Sequence, residues 1–292
     1  MTMKTNNVFN IILSFCLLCL CSCETTPELY KKEFSQEELA KLPEQMMEKV
    51  IRKYGQGSVS EIMVLKEVEK LDPQNATLWR EFGVPYGKRG MAKEYYENYG
   101  KAVEYDPLHW QGWRGYMYLY FYRDYQKALD DFNALDTLTP NFVDYPQATS
   151  IHFMRGVCHL QMEEYDQAIS YWEKHFAEEL KTLTPDYLDS KSFLFYGITH
   201  YKMGNLEKAK EQFNLGIEHN PRDADLLFWY ARTAFELKDY YEANKAINAA
   251  DKAFKKGNFN QRPYVEEFYQ IYQGDIDELS DKVYNRKDNL EG

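Results

Sequence analysis

The sequence predicts an all-α fold, an α-solenoid of stacked helix hairpins that forms a right-handed superhelix. Three observations carry this prediction. A pair of residues spaced four apart, a small or aromatic residue and then a bulky one, recurs down the chain. Elsewhere, apolar residues follow the three- and four-residue spacing of a helix face. Prolines close several of the repeated stretches, and no run alternates apolar and polar residues as a strand does.

The recurring pair sets the period of the repeat. Its copies are Tyr95 with Tyr99, Ala128 with Phe132, Ala168 with Trp172, Ala209 with Phe213, and Ala243 with Ile247. The first members of these pairs lie about 33, 40, 41 and 34 residues apart. Residues four apart share one face of a helix, so each pair can pack against the helix that precedes it. The copies therefore predict hairpins of two helices.

The clearest copy begins at Trp79, with Gly83 and Tyr86 on the same helix face, followed by Ala102 and Pro107. Trp, Gly, Tyr, Ala and Pro at these offsets resemble the 34-residue consensus of the tetratricopeptide repeat (TPR). The resemblance covers an array over residues 74–255, in units of about 76–107, 108–140, 150–180, 190–221 and 224–255. It implies stacked hairpins, because one hairpin alone cannot bury its apolar face.

Both ends of the array carry further helical patterns. Residues 35–73 resemble a degenerate hairpin, and residues 256–292 predict a closing pair of helices, 263–272 and 275–284, with a polar tail. The two longer spacings predict a loop near 141–149 and a longer helix before residue 184. We expect twelve to fourteen helices in all.

The first residues predict a targeting signal. An apolar run from Val8 to about Cys21 is too short for a membrane-spanning helix, which needs about 20 residues. Leu20-Cys21-Ser22-Cys23 then resembles the lipobox of bacterial lipoproteins, whose last cysteine receives a lipid. This resemblance implies a signal peptide over 1–22, an anchor on Cys23, a flexible tether over 23–34 and a place in the bacterial envelope, at the outer membrane. An ordinary Cys-rich secretory peptide is the alternative.

The composition argues against several function classes. The formal net charge is −11 and no basic stripe is present, so we expect no nucleic-acid partner. Outside the signal there is one cysteine, Cys158, which excludes an internal disulfide and a cysteine metal site. No Walker loop, HExxH or GxSxG motif is present. We therefore expect no enzyme activity, no cofactor and no metal.

The TPR resemblance also implies a binding groove, because first helices line the concave surface of such arrays. The matching positions of this sequence are Arg80, Val84, Lys88, Phe153, Val157, Leu160, Leu194, Ile198, Tyr201, Lys202, Phe228, Arg232 and Phe235. A largely apolar strip with basic flanks suits an extended peptide or an amphipathic helix. Some of these side chains could instead pack against the neighbouring first helix. The Asn of a carboxylate clamp is absent, since Val84 stands at that position.

These resemblances imply a lipid-anchored TPR scaffold that binds a protein or peptide partner in envelope assembly or transport. Two alternatives stay open. A carbohydrate- or small-ligand-binding lipoprotein would use Trp110, Trp113, Trp172 and Trp229 as a stacking platform. A structural subunit of an outer-membrane complex would hold its partner permanently.

Overall fold

The computed structural model describes residues 36–182 and 188–291, so the predicted signal peptide, tether and anchor at Cys23 lie outside the described residues. The chain divides between Asp106 and Pro107 into two compact units. Within the described part of the first unit there are four helices: α1 (Gln36–Lys53), α2 (Val59–Leu71), α3 (Ala76–Lys88) and α4 (Ala92–Tyr105).

The described part of the second unit contains nine helices. They are α5 (Pro107–Tyr120), α6 (Tyr125–Leu138), α7 (Ile151–Gln161), α8 (Tyr165–Thr182), α9 (Ser190–Lys202), α10 (Leu206–His219), α11 (Ala224–Glu236), α12 (Tyr240–Phe254) and α13 (Gln273–Glu291). A 3₁₀ turn, Pro146–Ala148, lies in the loop between α6 and α7. No strand occurs among the described residues of either unit, and the all-α prediction of stacked hairpins is confirmed.

Polar side chains fix where most first helices begin. Asn75 accepts a hydrogen bond from the Leu78 amide at 3.0 Å at the start of α3. Asp189 accepts from the Lys191 amide at 3.0 Å at the start of α9. Asp223 accepts from two amides at the start of α11. Each cap satisfies amides that have no partner inside the helix, so these loop residues set the phase of the helix face that follows.

Within the hairpins, small residues let large rings approach the backbone. A Cβ added to Gly197 on α9 would lie 2.4 Å from Cε1 of Phe213 on α10. A Cβ added to Gly156 on α7 would lie 2.9 Å from the Trp172 ring on α8. Phe213 and Trp172 are both fully buried. The small and aromatic residues that recur along the sequence therefore form the packing contact between the two helices of each hairpin.

The predicted helix over residues 263–272 is wrong. No helix or strand forms between the end of α12 and the start of α13, over residues 255–272. Tyr264 (φ 70°) and Tyr269 (φ 53°) adopt left-handed conformations, which cost about 1–3 kcal/mol each in residues other than glycine. Contacts with distant helices, described below, replace the local helical preference. We call residues 255–272 the return segment.

The structure also bears on how the chain could meet a membrane. None of the described helices combines the length and the apolar character that crossing a bilayer would require.

Candidate binding surface

In the first unit, the predicted groove residues lie on α3. Arg80 pairs with Glu81, and its side chain is 21% exposed. Lys88 Nζ donates to Gln56 Oε1 at 2.6 Å, and Gln56 Nε2 donates to Glu81 Oε2 at 3.0 Å. Val84 is half-buried. Lys88 thus contacts the turn between α1 and α2 directly and Arg80 is linked to it through Glu81, although Lys88 itself is exposed.

In the second unit, most of the predicted groove residues are buried. Those with at most 5% of their surface exposed are Phe153, Val157, Leu160, Leu194, Ile198 and Phe228. They belong to the continuous apolar core of this unit. The Phe153 ring on α7, for example, lies 5.6 Å from the Phe195 ring on α9. These side chains pack first helix against first helix, which is the alternative that the sequence left open, and they offer no surface to a partner in this conformation.

The return segment lies across the first helices of the second unit. Arg262 Nη1 donates a hydrogen bond to the Tyr116 hydroxyl at 2.6 Å. The Arg262 guanidinium carbon is 3.6 Å from the centre of the Tyr120 ring, within the range of a cation–π contact. Both tyrosines belong to α5. The side chains of α5, α9 and α11 that meet the return segment form what we call the first-helix surface: Tyr116, Tyr120, Lys191, Phe195, Asp225 and Trp229.

Two consecutive aromatic residues of the return segment enter this surface. The Phe268 ring centre lies 5.6 Å from that of Tyr120, and Phe268 is 6% exposed. The Tyr269 ring packs edge-on against Phe195 of α9 at 6.3 Å and Trp229 of α11 at 6.0 Å. The two residues are the central ones of a turn, in which the Gln270 amide donates to the Glu267 carbonyl at 3.4 Å, and this turn places neighbouring side chains in separate aromatic sites.

A buried carboxylate fixes the same part of the segment. Glu267 is 3% exposed and accepts from Lys191 Nζ at 3.1 Å and from Arg262 Nη2 at 3.2 Å. Burial raises the pKa of Glu267, but the positive charges of Lys191 and Arg262 outweigh burial, so its pKa lies below the ordinary value. Arg123 donates to the backbone carbonyl of Glu266 and lies 3.8 Å above the Phe268 ring. Surface cations therefore surround the acidic part of the segment.

A second carboxylate holds the start of the return segment. The Asn260 amide donates to Asp225 Oδ2 at 2.7 Å, and the Ala224 amide donates to the Asn258 carbonyl at 2.9 Å. Asp225 is 1% exposed. Burial, together with the nearby charge of Asp223, raises the pKa of Asp225 to about 7, although hydrogen bonds from Asn260 act in the opposite direction. The carboxyl group of Asp225 therefore ionises near neutral pH.

The remaining predicted residues stay at the surface, at the ends of α9 and α11. Lys202 is exposed, and its ammonium is 5.7 Å from the Tyr269 ring centre. Arg232 Nε donates to the Tyr201 hydroxyl at 2.9 Å. Phe228, Arg232 and Phe235 line an open cavity of about 220 Å³ together with Leu279 and charged residues of α13. The structure thus brings Phe228, Arg232 and Phe235 together beside α13, whereas Tyr201, whose ring centre is 5.3 Å from that of Trp229, and Lys202 adjoin the first-helix surface.

The sequence missed the residues that make the closest contacts. Tyr120, Arg123, Lys191 and Phe195 were not among the predicted groove positions. Consensus positions of one hairpin cannot show them, because their partners lie 74 to 148 residues away along the chain. The charged and aromatic stretch around Glu267 was visible in the sequence, but its pattern predicted a helix over residues 263–272 and not a contact with the first helices.

The predicted tryptophan platform is wrong. Trp172 is fully buried and Trp229 is 5% exposed, so neither ring is open to a sugar. Trp110 and Trp113, which are half-buried, lie edge-on with ring centres 6.2 Å apart. The four rings therefore do not form a common exposed surface.

One arrangement in the second unit has the residue types of a catalytic relay. Ser192 Oγ is 2.8 Å from His175 Nε2, and Glu179 Oε1 is 3.9 Å from His175 Nδ1, too long for a hydrogen bond. Burial, followed by the charge of His152, lowers the pKa of His175 to about 4, which makes the imidazole a weak base. Burial also raises the pKa of the Cys158 thiol far above its ordinary range. Among the described residues, no three potential metal ligands come together.

Comparisons with known proteins agree with this architecture. Residues 197–258 match the family model described as tetratricopeptide repeat. A tetratricopeptide repeat protein from Parabacteroides merdae is 20% identical, with a TM-score of 0.56 over 83% of this chain and 98% of that one. PilW, a type IV pilus biogenesis factor, is 16% identical, with a TM-score of 0.57 over 76% of this chain and 96% of that one. Pseudomonas aeruginosa PilF is 18% identical, with a TM-score of 0.54 over 75% and 93%. No curated protein matches the chain.

Proposed function

Because the chain is a tetratricopeptide-repeat protein, we propose that it is a lipid-anchored scaffold of the bacterial envelope. In this proposal it binds a non-helical segment of a protein partner on the first-helix surface of its second unit. One observation carries the proposal: the return segment already occupies this surface without forming a helix, with a turn that places Phe268 and Tyr269 in aromatic sites and with Glu267 on Lys191. A surface that holds one such segment has the chemistry to hold another.

The proposal of a role in envelope assembly has two supports. The Leu20-Cys21-Ser22-Cys23 sequence resembles a lipobox. PilW, which shares the fold, is described as a pilus biogenesis factor. An anchor and a peptide-binding surface on one chain would hold a partner close to the membrane, where the tether raises its effective concentration.

The anchor is tested with two cysteine variants of the full chain. Cys23→Ala should abolish incorporation of an alkyne-labelled fatty acid and move the protein from the membrane fraction to the supernatant. Cys21→Ala is the matched control and should keep both the label and the membrane location. Membrane retention and labelling of the Cys23→Ala protein would reject the lipid anchor at this residue.

The partner is tested by photo-crosslinking in the native cell. A photoreactive aromatic amino acid replaces Tyr201, at the end of α9, and in a separate strain it replaces Glu211, which is exposed on α10. We expect the Tyr201 probe to capture one discrete protein and the Glu211 probe to capture none. Capture by neither probe would reject the proposed binding surface. A captured complex that also survives purification without crosslinking would instead identify the chain as a structural subunit.

A further inference from the structure

The return segment differs from the hairpins in how it is held. Its contacts come mainly from side chains, including the cation–π contact of Arg262, the carboxylate of Glu267 and the rings of Phe268 and Tyr269. It joins the rest of the chain at both ends, through α12 and α13. It can therefore leave the surface as a loop while the helices on either side stay packed.

We propose that the first-helix surface recognises peptides that form a turn in which an acidic residue directly precedes two aromatic residues, with an arginine a few residues upstream. The return segment is the chain's own copy of this ligand and must leave before a partner binds. This inference rests on the proposed function, because it names the kind of partner that the same surface takes.

Charge complementarity supports an acidic ligand. The chain has a formal net charge of −11, yet Arg123, Lys191 and Lys202 all lie beside the return segment. Cations placed together in an acidic protein favour an acidic ligand over most other segments of the same chain. The order of charges and rings in Glu267, Phe268 and Tyr269 therefore defines the ligand chemistry.

The return segment leaves some hydrogen-bond donors of the surface unpaired within the described part of the chain and holds a strained backbone, so another ligand could bind better. On the surface, Arg123 Nη1 and Trp229 Nε1 are buried and have no hydrogen-bond acceptor among the described residues. On the segment, Tyr264 and Tyr269 hold left-handed conformations that bulky residues disfavour. A partner peptide that supplies two acceptors and keeps a relaxed backbone would compete with the segment.

The competition also sets the expected affinity. A tethered loop has an effective concentration on the order of millimolar, so it lowers the apparent affinity of any free peptide. Weakening the segment should therefore strengthen binding of an added peptide, whereas weakening the surface should reduce it. These opposite changes in the affinity for an added peptide distinguish an internal ligand from a segment that only stabilises the fold.

The experiment uses the full chain in detergent and a fluorescent synthetic peptide with the sequence of residues 259–272, followed by fluorescence anisotropy. Phe268→Ala in the protein should bind the peptide at least tenfold more tightly than the natural chain. Adding Lys191→Gln to that variant should reverse the gain by at least tenfold. Tyr264→Ala is the matched control, since this side chain is 69% exposed, and it should bind as the natural chain does.

Peptide binding by Phe268→Ala that is no tighter than by the natural chain would overturn the inference. If Phe268→Ala fails to fold, Arg262→Ala takes its place with the same expectation. A second readout is amide hydrogen exchange, in which residues 259–272 should exchange faster than α9. Equal protection of residues 259–272 and α9 would also overturn the inference. A variant that dimerises, and whose dimer the peptide dissociates, would overturn it as well, because a second copy of the chain would then occupy the surface.

The two proposals can fail separately. Capture of a partner from Tyr201 in cells, with no gain in peptide binding by Phe268→Ala, would keep the scaffold function and reject the internal ligand. Tight peptide binding by Phe268→Ala, with no capture in cells, would keep the ligand chemistry and reject the partner-binding function.

Discussion

The second unit contains two kinds of contact, and they are built differently. Inside a hairpin, a glycine faces a fully buried ring, as Gly197 faces Phe213. Between the return segment and the first-helix surface, a carboxylate, cations and rings meet, and two buried donors have no acceptor within the described part of the chain. The first contact is apolar and closely packed, so it contributes directly to stability. In the second contact, the cost of burying the charges offsets the attraction between them. Its net contribution to stability is therefore smaller and more easily reversed.

The hairpin contact maintains the fold, whereas the contact of the return segment is one that a ligand could displace. A packed hairpin cannot open without separating its two helices, whereas release of the return segment would expose only the part of the core that Phe268 and Ile271 cover and would leave the helices of each hairpin paired. Low local stability is the usual property of segments that yield to a ligand.

The largest difference should come from removing one phenylalanine of each kind. Phe213→Ala should lower the free energy of unfolding by about 3–5 kcal/mol, because it leaves a cavity between α9 and α10. Phe268→Ala should lower it by about 1.5–2 kcal/mol, because the loss is limited to the free energy with which the segment docks and the hairpins stay folded after its release. Urea denaturation followed by circular dichroism measures both. Equal losses would mean that the return segment is an integral part of the core.

A glycine pair tests the hairpin packing by itself. Gly197→Ala should destabilise the chain by about 2 kcal/mol, because its Cβ would lie 2.4 Å from Cε1 of Phe213. Gly100→Ala on α4 is the control, since nothing lies within 4 Å of its added Cβ. That change should stabilise by about 0.5–1 kcal/mol, the ordinary helix preference of alanine over glycine. Thermal melts of both variants check the pair, and a stable Gly197→Ala protein would contradict the close approach.

The same two contacts explain how far the sequence predicts the structure. Ala209 and Phe213 contact the preceding helix of their own hairpin, so local periodicity identifies them and the helix pairs. Arg262 contacts Tyr116, 146 residues away, and no local period records that contact. The consensus positions placed Phe153 and Ile198 in a groove, but first helices pack against each other and bury them. The periodicity of the repeat thus predicts the hairpins, whereas only the three-dimensional structure shows that the return segment lies on their surface.

The pH dependence of the return segment should follow Asp225 near neutrality. Its folded pKa of about 7 lies above the ordinary 3.8, so its contribution is fully present below about pH 3.8 and is lost as pH rises through about 7. Docking of the segment should weaken by about 1–2 kcal/mol between pH 5 and pH 8, since one pKa unit corresponds to about 1.4 kcal/mol and local release limits the total. Hydrogen exchange of residues 259–272, corrected for intrinsic rates, measures this change.

Asp225→Asn should remove most of that dependence, because an amide oxygen still accepts from the Asn260 amide and carries no charge. Asp166→Asn is the matched control, since Asp166 is exposed on α8, and it should keep the natural pH profile. An unchanged profile in Asp225→Asn would show that another group controls the release.

The smallest effect should come from Glu267, although its ion pairs are the most conspicuous feature of the surface. At pH 6, Glu267→Gln should weaken docking by about 0.5–1 kcal/mol, because the lost attraction to Lys191 is partly offset by the lower cost of burying an amide. The folded pKa of Glu267 lies below its ordinary 4.5, so its contribution is present above that value and is lost as pH falls through the folded pKa. The difference in exchange between the two proteins should therefore shrink as the pH falls from 6 through that folded pKa. A difference that stays constant as the pH falls would mean that the shape of the side chain, rather than its charge, holds the segment on the surface.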